Sequence, residues 1–549
     1  MAVVTFDKKT FEKEIGKIDE KMQHSISMFG TPVEHVDEAE IQVEVFPNRP
    51  DMLSYHGFKR GFTAYLGKNK GLKNYVSNKP EKNYTVNVDS SVKNIRPYTA
   101  CAIIRGLEFD GGKIKEIIDV QEKLHATMGR KRKKVAIGIY PLDKISLPIT
   151  FKAMAPKEIK FRPLDSEKEM TGLEILQKHP AGKEYSHLLK GKEKFPVFMD
   201  SENNILSMPP IINSETTGKI NENTKDVFIE CSGFEMNILE KCLNILSTTL
   251  SDMGGKICQM EVKYGSAKRI LPDFKTEEMK ISIENVNRFL GLELKEKEIK
   301  NFLERMGYEY KDKIVSIPSW RTDILHEVDL IEDIAIAYGY DNFIPEIPEI
   351  STIGEESSKE NLKRKFSEIL TGLGILEVSN YHLTTKEDQF KKMSLKEEGF
   401  IELKESKTEY GILRKNLSHY LLKVLSENID VEYPQKIFEI GKVFEMGEKS
   451  EALERENLSL AVSPGNFTEA RQILEYFTKS LGKEVKFKEA ENFPEYFIQG
   501  RAVEIIYGSK TIGFLGEVHP RILKKWRIKM PVALLEISLE EIFDSLEKK

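Results

Sequence analysis

Four acids stand close together in one stretch of the chain, WRTDILHEVDLIEDIAIAYGYDNFIP at 320–345, and their spacing bears on metal chemistry. Asp329, Glu332 and Asp333 follow i, i+3, i+4, so on a helix their carboxylates leave one face within a single turn. Asp323, six residues earlier, suits the N-cap of that helix and can turn an oxygen towards the same volume. Carboxylates gathered without a counter-charge repel, and hard oxygen donors select a hard ion, which makes Mg²⁺ the candidate cofactor. The same spacing describes a solvated acidic helix face, and on spacing alone both readings stand. A second polar group lies in SMPPIINSETTGKINENTKDVFIEC at 207–231, where Pro209 and Pro210 precede an apolar pair, a polar turn at 213–218 and a strand carrying Glu230. That loop is rich in donors and acceptors but has neither a metal-ligand spacing nor a Ser-His-Asp order, so it reads as a recognition pocket rather than a nucleophile site. Five basic residues in a row at 130–134 suit either a phosphate contact or a solvated turn.

The elements that must hold these groups follow from periodicity. Leu330, Ile331, Ile334, Ala337 and Tyr338 form the apolar stripe of a packed helix, Gly339 suits its C-terminal stop and Pro345 closes the exit. Ile299, Phe302, Leu303 and Met306 predict a second helix that ends at Gly307, and KIVSIPSW predicts a strand leading into the acidic helix. Near the start, IQVEVFPNRPD turns into a helix with Phe58, Phe62, Tyr65 and Leu66 on one face and Asp51 as its N-terminal acid. Runs such as TACAIIRGLEF, KVAIGIY and DVFIEC alternate with helical ones, which predicts an α+β domain. The whole is a multidomain α+β chain with domains at 1–85, 86–265, 270–347 and 361–549, and 549 residues are ample for that number. The four cysteines, Cys101, Cys231, Cys242 and Cys258, form no CxxC pair and no zinc spacing, and read as reduced thiols of a cytosolic protein. No apolar run is long enough to span a bilayer, and a net charge of −5 argues against indiscriminate coating of nucleic acid. A P-loop and a GxGxxG followed by an acid are both missing, so no complete nucleotide site is visible.

Six blocks occur in an order that carries a resemblance: EVFPNRPD at 44–51, RPYTACAIIRGL at 96–107, the 207–231 stretch, RTDILHEVDLIEDIAIAYGYDNF at 321–343, IFEIGKVF at 437–444, and Gly500 and Arg501 followed by GEVHP at 516–520. With these the chain resembles the β subunit of phenylalanyl-tRNA synthetase in its archaeal and eukaryotic form. The resemblance implies an α₂β₂ enzyme of the cytoplasm that joins phenylalanine to tRNA(Phe), with ATP and phenylalanine bound at the α subunit. It implies a class II synthetase-like antiparallel-sheet domain at 361–549 without an active site, a winged-helix-like middle domain, and an α+β editing domain that hydrolyses mischarged tyrosyl-tRNA. A carboxylate, Glu445, stands after the strand where an active domain places an arginine on ATP, and no late Gly-x-Gly-x-x-Arg element follows. For the editing pocket it implies Asn213, Ser214, Thr216 and Glu230, with Glu230 accepting the phenolic proton. For the metal it implies Asp323, Asp329, Glu332 and Asp333, position by position. One departure is visible: where relatives tend to read a histidine and an aspartate, this chain has Tyr140 and Pro141 after Gly138-Ile139. A scaffold subunit that binds tRNA and has lost editing is the alternative.

Overall fold

The computed structural model describes residues 2–404, 406, 408–449, 451–490 and 492–547. The chain divides into two compact units, Met1–Ile347 and Pro348–Lys549. Among the described residues the first unit is built on three sheets of three or more strands, beside the two-stranded pair Lys160–Phe161 and Met170–Thr171. Its opening strands Ala2–Asp7, Glu40–Val45 and Val33–Val36 pair antiparallel, and their inward residues meet the helix Tyr55–Tyr65 through a cluster of Phe6, Phe11, Phe29, Phe58 and Phe62. Ser54 caps that helix by accepting from the Gly57 N–H at 3.0 Å. Asp51, expected at this end, is instead buried in a two-point ion pair with Arg49, both contacts at 2.9 Å. A guanidinium two residues away offers a buried carboxylate more than a single helical N–H does.

The large sheet has eleven strands, and one end of it runs Lys256–Tyr264, Tyr98–Arg105, Val227–Gly233, Val135–Pro141, the last at the edge. Every residue of Val227–Gly233 and Val135–Pro141 is buried, because the sheet is covered on both faces there. The helix Met236–Asp252 packs on Tyr98–Arg105, and Gly111–Ala126 packs on Val135–Pro141. Strands Ser77–Asn78 and Ala267–Leu271 extend this sheet beyond 86–265, since both pair with Lys256–Tyr264. All four cysteines lie in this region and are buried thiols. The third sheet, Glu277–Lys280, Ile314–Ile317 and Glu309–Lys311, is antiparallel and is accompanied by the helices Ile283–Leu290, Glu296–Arg305 and Glu327–Tyr338. Leu330, Ile331, Ile334 and Ala337 are buried as the stripe requires, and Gly339 ends the helix at φ 98°, a conformation that favours glycine.

Among the described residues the second unit is built on a seven-stranded sheet, antiparallel except for the short Leu376–Glu377 strand at one edge, beside the two-stranded pair Leu383–Thr384 and Ile412–Leu413. The two-residue period of its strands divides the core: Phe438, Leu458, Leu460 and Leu535 face one set of helices, whereas Ile437, Ala461 and Leu534 face another. Among the described residues no helix is long and apolar enough to cross a membrane.

Candidate functional site

Glu230 sits in the middle of the Val227–Gly233 strand, opposite Gly138 on one neighbour and Cys101 on the other. It is 1% exposed. Its Oε1 accepts from the Tyr140 hydroxyl at 3.2 Å, and its buried Oε2 has no hydrogen-bond partner. An unpaired oxygen in so dry a place is costly as an anion. Burial accordingly pushes the Glu230 carboxyl up to about 8, against the opposing pull of Arg96. At neutral pH it is mostly the protonated acid, which offers one oxygen as acceptor and the other as donor.

Glu230 lines a cleft of about 540 Å³ together with Gln121, His125, Arg132, Pro210 and Asn213. The helix Gly111–Ala126 supplies His125, whose Nε2 accepts from the Ile137 N–H at 2.8 Å. A backbone N–H can only donate, so the neutral ring carries its proton on Nδ1 and gives it to Glu122 at 3.3 Å. Burial lowers the His125 pKa and keeps that neutral form. Arg132 comes from the basic run at 130–134, in a turn where Arg130, Lys131 and Arg132 all have positive φ. Its guanidinium turns inward, donating to the Ile211 carbonyl at 2.8 Å and to Glu122 at 3.1 Å, and stacks over Tyr185. Sequence reasoning offered this run only a phosphate or solvent, and missed Gln121 and His125 altogether. The available signal was the placement of both on the helix that packs against Val135–Pro141.

Of the four residues expected at the pocket, the structure brings together two. Asn213 lines the cleft, with its Oδ1 accepting from the Tyr140 hydroxyl at 3.4 Å. Ser214 and Thr216 bond to each other at 2.8 Å and do not line it; Ser214 is buried at the isolated bridge to Pro163, and Thr216 faces solvent. The strand before them ends at Asn213, so the next residues turn away from the sheet.

The acidic helix is arranged differently from its expectation. Its N-cap is His326, not Asp323. Asp329 completes a capping box, accepting the Leu325 and His326 N–H groups at 2.7 and 2.8 Å, where the helix dipole favours a negative charge. Glu332 is exposed and accepts from the Tyr340 hydroxyl at 2.7 Å. Asp333 is buried; it accepts from Tyr308 and lies 2.7 Å from Arg321 Nη2. Asp323 takes the same guanidinium at two points, 2.8 and 2.7 Å. Burial opposes its charge, yet Arg321 holds its pKa below the ordinary value. Two of the four acids thus converge on an arginine, and the other two satisfy local donors. The resemblance implies an ion that neutralises the four together; here Arg321 takes two of them instead, and among the described residues no three His, Cys, Asp or Glu gather as ligands. Nor is it a solvated face, because Asp333 turns into the core. Glu445 in the second unit lies 3.0 Å from Arg455, with both side chains well exposed.

Comparison with known proteins agrees with this layout. Three family models match: the B3/4 domain at 82–249, which holds the cleft, the tRNA synthetase B5 domain at 279–340, which holds the acidic helix, and the phenylalanyl tRNA synthetase beta chain CLM domain at 344–539. The phenylalanine-tRNA ligase beta subunit of Thermococcus sibiricus is 41% identical over 505 residues, 90% of each chain. That of Archaeoglobus fulgidus is 37% identical over the full length of both. A crystal structure of an N-terminal fragment of the Pyrococcus horikoshii phenylalanyl-tRNA synthetase beta subunit, 39% identical, covers 61% of this chain and 99% of the fragment with a TM-score of 0.59. The six sequence blocks, the multidomain α+β fold and these relatives converge: the chain belongs to the phenylalanine-tRNA ligase β-subunit family.

Proposed function

We propose that the chain acts as the β subunit of a cytoplasmic phenylalanine-tRNA ligase. In this reading it pairs with an α subunit as α₂β₂ and helps bind tRNA(Phe), while ATP and phenylalanine are handled on the α subunit. The second unit then serves as a class II-like domain without chemistry of its own, and the 270–347 segment as a winged-helix-like element of the first. The proposal places no Mg²⁺ among the four acids, because Arg321 already supplies counter-charge to two of them.

The cleft has its own part, hydrolysis of tyrosine wrongly joined to the tRNA. A pocket shaped for phenylalanine rejects a near-isostere bearing one extra hydroxyl only weakly, by about a hundredfold. A second pocket that hydrogen-bonds the hydroxyl reverses the preference. The observation that carries this reading is the buried Glu230 carboxyl with one oxygen unpaired, lining a cleft large enough for an aromatic amino acid. Glu230→Ala in the assembled enzyme should slow release of tyrosine from tyrosyl-tRNA by about tenfold or more while phenylalanine charging continues. Unchanged release, with charging intact, would remove Glu230 from this role. A second reading, a tRNA-binding scaffold without hydrolysis, is favoured by one observation, the Tyr140 hydroxyl already on Glu230. It predicts no release from tyrosyl-tRNA by either form.

A further inference from the structure

Two residues that line the cleft, Glu230 and Asn213, already hold a phenol, and the chain itself supplies it. Ala136, Gly138 and Tyr140 alternate onto one face of their strand, opposite Ser232, Glu230 and Phe228 of the next. Ala136 and Glu230, both on this face, line the cleft. The Tyr140 side chain folds back over Gly138, its ring stacked 5.7 Å from that of Phe228 and its hydroxyl shared between Glu230 and Asn213. Only glycine permits this: a methyl at position 138 would stand 2.1 Å from the Tyr140 hydroxyl and 2.6 Å from its Cζ. Tyr140 is fully buried, and its hydroxyl meets the cleft through two residues that line it, Glu230 and Asn213.

We propose that Tyr140 is an internal competitor whose phenol holds, against Glu230, the place that the side chain of a bound aromatic aminoacyl group would take. The inference rests on reading the cleft as an aromatic amino-acid pocket. An incoming side chain enters by displacing the ring, whichever side chain it is. Tyrosine and phenylalanine are therefore weakened by the same factor, and the ratio between them stays with Glu230. Displacement breaks one hydrogen bond to a buried carboxyl, which sets that factor at about tenfold or more. Such a device damps all hydrolysis, including loss of correctly joined phenylalanine, without altering the preference.

Two variants separate the parts. Tyr140→Leu keeps apolar packing against Phe228 and vacates the hydroxyl end, whereas Tyr140→Phe keeps the ring and releases only the hydrogen bond. The full-length chain is titrated with L-tyrosine and with L-phenylalanine by calorimetry. Tyr140→Phe should bind both about tenfold more tightly than wild type, by a common factor, and Tyr140→Leu, which also removes the ring, should gain at least as much. A folded Tyr140→Leu chain with wild-type affinities, or with a gain confined to tyrosine, overturns the competitor. If Tyr140→Leu does not fold, Tyr140→Phe decides, and no gain in either ligand overturns it. Glu230→Ala tests the underlying reading separately: an unchanged tyrosine-to-phenylalanine ratio there overturns the aromatic amino-acid pocket, whereas the Tyr140 factor is measured with Glu230 intact.

Discussion

Glu230 and Glu439 are the same side chain in the same kind of place, each on an inner strand of its own unit's sheet and each at most 2% exposed. Their surroundings differ. Glu439 Oε1 meets Arg414 Nη1 at 2.6 Å and the Asn380 N–H at 3.2 Å, and its Oε2 takes the Asn380 amide at 2.7 Å. Arg414 is itself held by the Lys442 carbonyl and lies over Gly441, where a Cβ would stand 2.4 Å from its Nη2. Both oxygens are therefore used, and the charge is matched. Glu230 has a phenol on one oxygen and nothing on the other. A buried acid whose capacity is filled by its own fold holds the fold, whereas one left with spare capacity in the lining of a cleft is provisioned for something that arrives later.

The sharpest way to break the contrast is on the filled side. Arg414→Ala leaves Glu439 buried without its counter-charge and should cost the second unit about 3–5 kcal/mol in denaturant unfolding. A loss no larger than that of a surface ion pair, under about 1 kcal/mol, would mean that water reaches Glu439 and the two glutamates are not opposites. The open side is sharpened by pH. The folded-state pKa of Glu230, about 8, lies above its ordinary 4.5, so between those values the folded chain keeps a proton that the unfolded chain has lost. Its contribution is fully present below about pH 4.5, declines as pH rises, and is gone above about pH 8, with a slope of up to about 1.4 kcal/mol per unit. Glu230→Gln should flatten stability of the first unit across this window, and parallel wild-type and variant profiles would refute the shift. The smallest effect belongs to an acid that serves only local geometry: Asp329→Ala removes a cap and should cost about 1 kcal/mol, read as a lowered midpoint of unfolding.

Much of the frame was legible before any coordinates. The stripe of Leu330, Ile331, Ile334 and Ala337 and the stop at Gly339 are local patterns, and the helix Glu327–Tyr338 follows them. What the four acids touch was not local. Asp333 turns inward to Tyr308, 25 residues away, and to Arg321, 12 away, and no helical spacing encodes a partner across a sheet. Asp323 lost the cap because a bidentate arginine outcompetes one N–H, and His326 filled it with an imidazole nitrogen, outside the usual Ser, Thr, Asp and Asn. At the cleft, Asn213 and Glu230 were visible as polar residues flanking a turn, but Ser214 and Thr216 leave the sheet one residue later. Tyr140 was visible as a departure in the sequence. That its ring meets Glu230 depends on the register of two strands 90 residues apart.

The burial of the thiols has a practical corollary. Cys101, Cys231, Cys242 and Cys258 all lie in the first unit, and the second contains none. Burial raises the pKa of Cys101 and Cys231, which further slows their alkylation in the intact chain. A thiol-reactive dye is therefore a clock that runs only when the first unit opens, blind to whatever the other does. Set beside a whole-chain signal such as circular dichroism, it divides one melting curve into two without any engineered label.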